Sequence, residues 1–265
     1  MDSMSRDTAS KYLGLAGKSA IVTGASRGIG EAVTKVLVDL GVNVVGVARS
    51  FPRDWIERFG RESVASVAGD VAEIETAEKS LQTCLEKFSQ IDILVNNAGI
   101  VVGGTILDTK IDDWDRQMDV NLKGHFNFSK VVAPEMVKRK TRGRIVNVSS
   151  TAALYYENGL LAYSATKGAI MSFTRALAVD LAPHGILANA VAPGWTDTQM
   201  GTGNLKSGQR ELVNARIPVG HIAAPSEIAD IVAFLASDMC RHMIGQMLIV
   251  DGGQTIDATI SGIQY

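Results

Sequence analysis

Seven short runs rich in β-branched residues recur along the chain: SAIVTG (19–24), VNVVGVA (42–48), SVASVA (63–68), DILVNN (92–97), RIVNVSS (144–150), ILANAVA (186–192) and MLIVDGG (247–253). Most are separated by segments such as IGEAVTKVLVDLG and AEIETAEKSLQTCLEKF, whose apolar residues fall at helical spacing. Strands that alternate with helices pair in parallel, because each strand returns to the same sheet edge by a crossover. Nearly continuous apolar strands fit a sheet covered on both faces. The expectation is a single-domain, doubly wound α/β fold over residues 1–265, with a seven-stranded parallel sheet and helices on both faces. With 46% hydrophobic and 20% charged residues, the chain can bury one large core. Only DTQMGTGNLKSGQRELVNARIP (197–218) departs from the pattern. It is Gly-rich and polar, with a short helical stretch inside, and reads as a mobile insertion of the kind that covers active sites.

Charge and composition exclude several classes. The net charge is −2, and KRKTRGR (138–144) is the one basic cluster; it reads as a solvated helix end before a strand, so no nucleic-acid partner is expected. No run approaches the ~18 apolar residues of a membrane span, and MDSMSRDTAS is neither basic nor apolar, so the expectation is a soluble, cytoplasmic chain with no membrane partner. Cys84 and Cys240 are too few for a disulfide framework, and they read as reduced. His125, His184, His221 and His242 are scattered without ligand spacing, so no metal is expected.

TGASRGIG (23–30) follows the first strand and opens the first helix, the context that a dinucleotide-binding turn requires. Gly24 permits the tight turn, Gly28 lets backbone approach a pyrophosphate, and Gly30 lets helix and strand pack closely; Ser26, Arg27 and Ile29 complete the loop. The end of the second strand selects the cofactor, since an acid there bonds the ribose 2′-hydroxyl and repels a 2′-phosphate. Ala48 occupies that place and Arg49 follows, while Arg27 can close from the other side. Two arginines and no acid favour NADP(H), with NAD(H) as the alternative.

The spacing G-x-x-x-G-x-G, with NNAG (96–99), YSATK (163–167) and PGWTDT (193–198) in that order, closely resembles the short-chain dehydrogenase/reductase family from about residue 15 to 255. The resemblance implies a Rossmann-type, nicotinamide-dependent oxidoreductase. By it, Asp70 and Val71 frame the adenine, and Asn97, Ala98 and Gly99 pass the adenosine ribose. Pro193 and Gly194 fix a turn, and Thr196 and Thr198 sit where the family binds the carboxamide. The tail IPVGHIAAPSEIADIVAFLASD with GQMLIVDGG resembles that of 3-oxoacyl-carrier-protein reductases and sugar reductases, and it implies a homotetramer or homodimer.

Reducing a carbonyl builds negative charge on oxygen, so the site needs a proton donor and a group that keeps the donor acidic. Tyr163 and Lys167 stand four apart in a helical segment and share a face, which predicts that the lysine, together with the positive nicotinamide ring, lowers the pKa of the phenol. Ser149 and Ser150 end the fifth strand, and alternation lets only one face the cleft. The family's spacing selects Ser150 to hold the carbonyl and leaves Ser149 for the backbone. By resemblance, Asn121 holds a water that contacts Lys167. Tyr155 and Tyr156 either cover the core or line the substrate pocket. Trp195 and Met200, with Thr105, Ile106, Ala152 and Leu154, complete a mostly apolar candidate pocket for a small-molecule carbonyl or alcohol. The competing readings are an NAD-dependent sugar or polyol dehydrogenase and a non-catalytic cofactor sensor.

Overall fold

All seven apolar runs form strands in the computed structural model, which describes residues 12–257. The strands are β1 (Ser19–Thr23), β2 (Asn43–Ala48), β3 (Val64–Ala68), β4 (Ile93–Asn96), β5 (Arg144–Val148), β6 (Leu187–Pro193) and β7 (Met247–Val250). They lie in one sheet in the order β3-β2-β1-β4-β5-β6-β7, and every pair is parallel. The chain runs outward from β1 to β3, then returns to start β4 on the other side of β1. The crevice between the C-terminal ends of β1 and β4 is therefore the topological switch point at which such sheets bind ligands.

Helices α1 (Gly28–Asp39), α2 (Trp55–Phe59), α3 (Ile74–Phe88), α4 (Ile111–Met118), α5 (Gly124–Lys138), α6 (Leu161–Leu181), α7 (Gln209–Asn214) and α8 (Pro225–Ala236) connect them. One face of the sheet is sealed by Val33 and Leu37 of α1 against Ile228 and Val232 of α8. Cys84 of α3, Phe128 and Met136 of α5 and Ala178 of α6 seal the other. All eight are essentially inaccessible, and each large aliphatic or aromatic side chain among them contributes about 1.5–3 kcal/mol by leaving water. Among the described residues, no helix is long and apolar enough to cross a membrane. Cys84 and Cys240 are free and buried, and burial pushes the Cys84 thiol up to about 12.

Two local features depart from the sequence expectation. The helical pattern around Asn121 is broken by a π turn over Asp119–Lys123 between α4 and α5, where the backbone hydrogen-bond ladder slips by one residue. The basic cluster at 138–144 is not wholly solvated. Its last member, Arg144, is buried at the start of β5 and donates to the carbonyls of Arg142, Gly143 and Ser237. Within segment 197–218, Asp197 pairs with Arg210 at 2.6 Å and accepts from Thr202 Oγ1 at 2.7 Å, and Ile217 is buried near its far end.

Candidate active site

A single cleft of about 1910 Å³ runs along the C-terminal edge of the sheet, from Arg49 beyond β2 to Tyr163 on α6. That volume exceeds an ordinary ligand pocket of roughly 300–1,000 Å³, and it suits a dinucleotide with a substrate beside it. The glycine turn forms its floor. Gly24 has φ +68, a conformation that side chains rarely adopt, and a Cβ there would lie 2.7 Å from Asn97 Nδ2. Gly30 lies behind the floor, where a Cβ would stand 2.2 Å from the carbonyl oxygen of Gly24, so α1 reaches the turn only because this residue has no side chain. The result is a helix N-terminus whose free N–H groups open into the cleft beside Ser26, Gly28 and Ile29. These residues fit a pyrophosphate.

Asn97 has a role that its motif did not reveal. Its Nδ2 donates to the Thr23 carbonyl at 2.8 Å, while Thr23 Oγ1 accepts from the N–H groups of Asn97 and Ala98. The side chain thus clamps the end of β4 to the turn after β1, and the backbone of Ala98 and Gly99 lines the cleft. Trp55 works similarly from α2, donating from Nε1 to the Ala25 carbonyl at 3.0 Å. Nothing local in the sequence marked Trp55 for this, because the contact joins residues thirty positions apart.

At the β2 end, Ala48 is buried, and Arg49 and Arg27 are exposed on either side of the cleft. Arg27 Nη1 donates to Gln199 Oε1 at 3.2 Å. Asp70 and Val71 line the next portion, with Asp70 accepting from Ala72 N–H and paired with Arg116 of α4. Those bonds outweigh partial burial and hold the Asp70 carboxyl below its ordinary value. Arg116 also lines the cleft and was not anticipated, because α4 carries no cofactor motif. The loop after β6 closes the cleft from above. Gly194 N–H donates to the Val250 carbonyl beside Pro193, Thr196 is buried, and Thr198 Cγ2 lies 3.1 Å from where a Gly28 side chain would begin.

Ser150, Tyr163 and Lys167 converge at the inner end. Ser150 caps a short 3₁₀ turn, its Oγ accepting from Ala152 N–H at 3.1 Å, and it shares a hydrogen bond with Tyr163. Ser149 points the other way and donates to the Lys167 carbonyl at 2.8 Å. Lys167 Nζ lies 5.5 Å from the centre of the Tyr163 ring and donates to the Val148 carbonyl at 2.9 Å.

Burial dominates the electrostatics of the protein side chains by themselves. Burial pushes the Tyr163 phenol above its ordinary value, and the Ser150 hydrogen bond only partly offsets it. Burial likewise pulls Lys167 down to about 8. Lys167 is held by the Val148 carbonyl beside the Tyr163 ring, and the expected lowering of the phenol calls on this ammonium together with the cofactor's positive ring.

Asn121 is buried, and its side chain is bonded within the protein. Its Oδ1 accepts from Ile100 N–H at 2.8 Å, and its Nδ2 donates to the Ile100 carbonyl at 2.9 Å and to Thr166 Oγ1 at 3.1 Å. Both amide hydrogens are committed. The side chain therefore fixes the loop after β4 against α6.

The substrate end corrects a further expectation. Tyr155 and Tyr156 do not line the cleft; both are exposed, and Thr105, Ile106 and Leu154 also lie off its wall. Trp195, Met200 and Ala152 do line it. Glu157 and Asn158 take the place expected of the tyrosines, with Leu160 and, from the 197–218 segment, Asn204 and Leu205. Desolvation raises the Glu157 carboxyl. Tyr155 and Tyr156 remain exposed at the rim, while Gly104 N–H donates to the Gly159 carbonyl at 2.7 Å and its carbonyl accepts from Leu161 N–H, which ties the residues just after them to the loop after β4.

The family profile described as "Enoyl-(Acyl carrier protein) reductase" matches residues 24–255. The 3-oxoacyl-(acyl-carrier-protein) reductase FabG of Thermotoga maritima is 36% identical over 248 residues, covering 91% of this chain and 99% of its own. The oxidoreductase UcpA of Escherichia coli strain K12 is 37% identical over 259 residues, covering 93% and 98%. Among solved structures, a 3-ketoacyl-(acyl-carrier-protein) reductase from Brucella melitensis, complexed with NADH, superposes with a TM-score of 0.84 at 32% identity, covering 91% of this chain and all of that one. With the all-parallel sheet, the glycine turn at its switch point and sequence identity along nearly its whole length, the chain belongs to the short-chain dehydrogenase/reductase family.

Proposed function

We propose that this protein is an NADP(H)-dependent oxidoreductase that interconverts a ketone or aldehyde with an alcohol, with Tyr163 as proton donor and acceptor. The observation that carries the reading is the convergence of Ser150, Tyr163 and Lys167 at the inner end of the cleft that begins at the glycine turn. A nicotinamide dinucleotide supplies or accepts the hydride. Ser150 Oγ orients the carbonyl oxygen, Tyr163 delivers the proton, and the buried ammonium of Lys167 stabilises the phenolate left behind. Lys167 is cationic below about pH 8, so the working form is the one present at neutral pH. Burial keeps Tyr163 protonated until substrate and cofactor rearrange its surroundings.

The family profile's description names enoyl reduction, whereas the FabG relatives are named for reduction of a 3-oxo group. A serine–tyrosine pair with a cation behind it suits charge that develops on a carbonyl oxygen, so we place this chain with the carbonyl reductases, and 3-oxoacyl thioesters are the first substrates to test. Glu157, Asn158 and Asn204 make the substrate end more polar than an aliphatic ketone needs, which favours substrates that carry hydrogen-bonding groups beyond the carbonyl. NADP(H) preference rests on Arg27 and Arg49 facing the cleft where Ala48 leaves no acid. Exposed Val179 on α6 and Ile249 on β7 are suitable for homo-oligomer contacts. The test is consumption of NADPH and of NADH, followed by nicotinamide absorbance, with 3-oxoacyl thioesters, ketoses and aliphatic ketones. Tight NADPH binding without turnover on any carbonyl would replace this reading with that of a cofactor sensor.

A further inference from the structure

An acidic side chain faces the cleft at the end where the two arginines would meet a 2′-phosphate. Glu31 lies on the first turn of α1 and lines the wall with Arg27, Ala48, Arg49 and Ser50. Its N–H donates to the Arg27 carbonyl at 3.3 Å, so the two residues stand one helical turn apart. A free carboxylate there acts as an acid at the end of β2 would, repelling a 2′-phosphate. It also offers Arg27 an ion-pair partner in competition with that phosphate.

Glu31 is not left free. Arg58, on α2, donates from Nη1 to Glu31 Oε1 at 2.5 Å and lines the same cleft. Although α2 has only five residues, its position is fixed: Trp55 donates to the Ala25 carbonyl of the glycine turn, and the rings of Phe51 and Phe59 pack on the Trp55 ring. The Arg58 guanidinium lies over the Phe59 ring, 5.7 Å from its centre. The tryptophan that braces the turn thus also brings Arg58 to Glu31. Arg27 is left bonded to neutral Gln199 rather than to an acid. The other charged groups nearby do not alter this balance. Lys35 and Asp39, further along α1, pair with each other at 2.7 Å, and Asp54, 3.4 Å from Arg58 Nε, is exposed and off the cleft wall. A part-exposed ion pair such as Arg58–Glu31 adds little to stability, so its main consequence is the charge presented to the cleft.

We propose that Arg58 is a positioning residue for cofactor choice: by holding Glu31, it keeps that carboxylate from repelling a 2′-phosphate and from capturing Arg27. This rests on the reading that the chain takes NADP(H) through Arg27 and Arg49, and it adds a residue that no cofactor motif marks.

The test is equilibrium binding rather than turnover. Dissociation constants for NADPH, NADH and the nicotinamide-free probe adenosine 2′,5′-bisphosphate are measured by fluorescence and calorimetric titration at low and high salt. In Arg58→Met, affinity for NADPH and for the bisphosphate is expected to fall roughly fivefold, the size of one uncancelled charge at a partly exposed site, while NADH stays within about twofold. The loss should narrow at high ionic strength. Arg58→Lys keeps the charge and should keep most of the NADPH affinity, and adding Glu31→Gln to Arg58→Met should restore it. Asp54→Asn, which removes the other partner of Arg58, should change neither cofactor's affinity.

NADPH and NADH losing affinity together in Arg58→Met would make the arginine a structural brace of α2 and overturn the proposal. So would a double variant that does not recover NADPH, or an Asp54→Asn protein that reproduces the loss. A wild-type protein that prefers NADPH, with the preference intact in Arg58→Met, sinks this proposal alone. A wild-type protein that binds NADH as tightly as NADPH sinks the cofactor reading and the proposal with it.

Discussion

Replacing Gly30 with alanine isolates the contact on which the cofactor floor depends. Two effects oppose each other. Alanine is favoured over glycine inside a helix by at most about 1 kcal/mol. Against this, the new Cβ would lie 2.2 Å from the Gly24 carbonyl oxygen and 2.5 Å from Asn97 Nδ2. Both distances fall about an ångström or more short of ordinary contact. Neither neighbour can swing away cheaply, because the first is backbone in a positive-φ turn and the second is the amide that clamps Thr23. Overpacking of this kind typically costs ~1–3 kcal/mol, and a rigid obstruction puts it at the upper end. The net expectation is a loss of about 1–2 kcal/mol, or roughly 3–6 °C in Tm for a chain of this size. Relief requires α1 to back away from the turn, so NADPH affinity measured by fluorescence titration should fall about tenfold, about 1.4 kcal/mol. Gly168→Ala in α6 is the control, since nothing lies within 4 Å of its Cβ position and the same substitution there should leave stability unchanged or raise it. A Gly30→Ala protein that melts with the wild type and binds NADPH equally well would refute the packing argument.

Tyr163→Phe should abolish carbonyl reduction while leaving the NADPH dissociation constant within a few-fold; loss of binding in titration would mean that the phenol holds cofactor rather than moving a proton. Ala48→Asp should move the ratio of kcat/KM for NADPH over NADH towards NADH by at least about tenfold, because the acid repels a 2′-phosphate and accepts from a ribose hydroxyl; an unchanged ratio would remove Arg27 and Arg49 from cofactor choice. Lys167 loses its proton near pH 8 when folded and near 10.5 when unfolded, so the folded state binds fewer protons across that window. Its burial cost is present in full below pH 8 and is relieved as pH rises to 10.5, so denaturant titrations should show Lys167→Met more stable than wild type at pH 7, by on the order of 3 kcal/mol at most, with the difference shrinking across that range. Glu157→Ala should raise KM more than it lowers kcat for hydroxylated or thioester carbonyls and leave simple aliphatic ketones unaffected, in steady-state comparison.

Local chemistry made the sheet legible. Runs such as AIVTG and VVGVA can serve only as buried strands, and helical spacing between them forces parallel pairing, so strand number and covered faces follow from residue types alone. The glycine turn and the Tyr163–Lys167 spacing were readable for the same reason, since each joins residues within one turn or one helix. Where each side chain spends its hydrogen bonds was decided only by tertiary structure. The Asn121 amide is spent on Ile100 and Thr166, and Asn97, which lines the cleft, also clamps β1 to β4 through its side chain. The rim of the substrate end has the same cause, because a backbone bond between Gly104 and Gly159 ties together two positions that lie on different crossovers. Burial completes the separation. A sequence states that a tyrosine and a lysine are neighbours, but their acidities depend on how much water each has lost and where the lysine points, and those are properties of the folded surroundings.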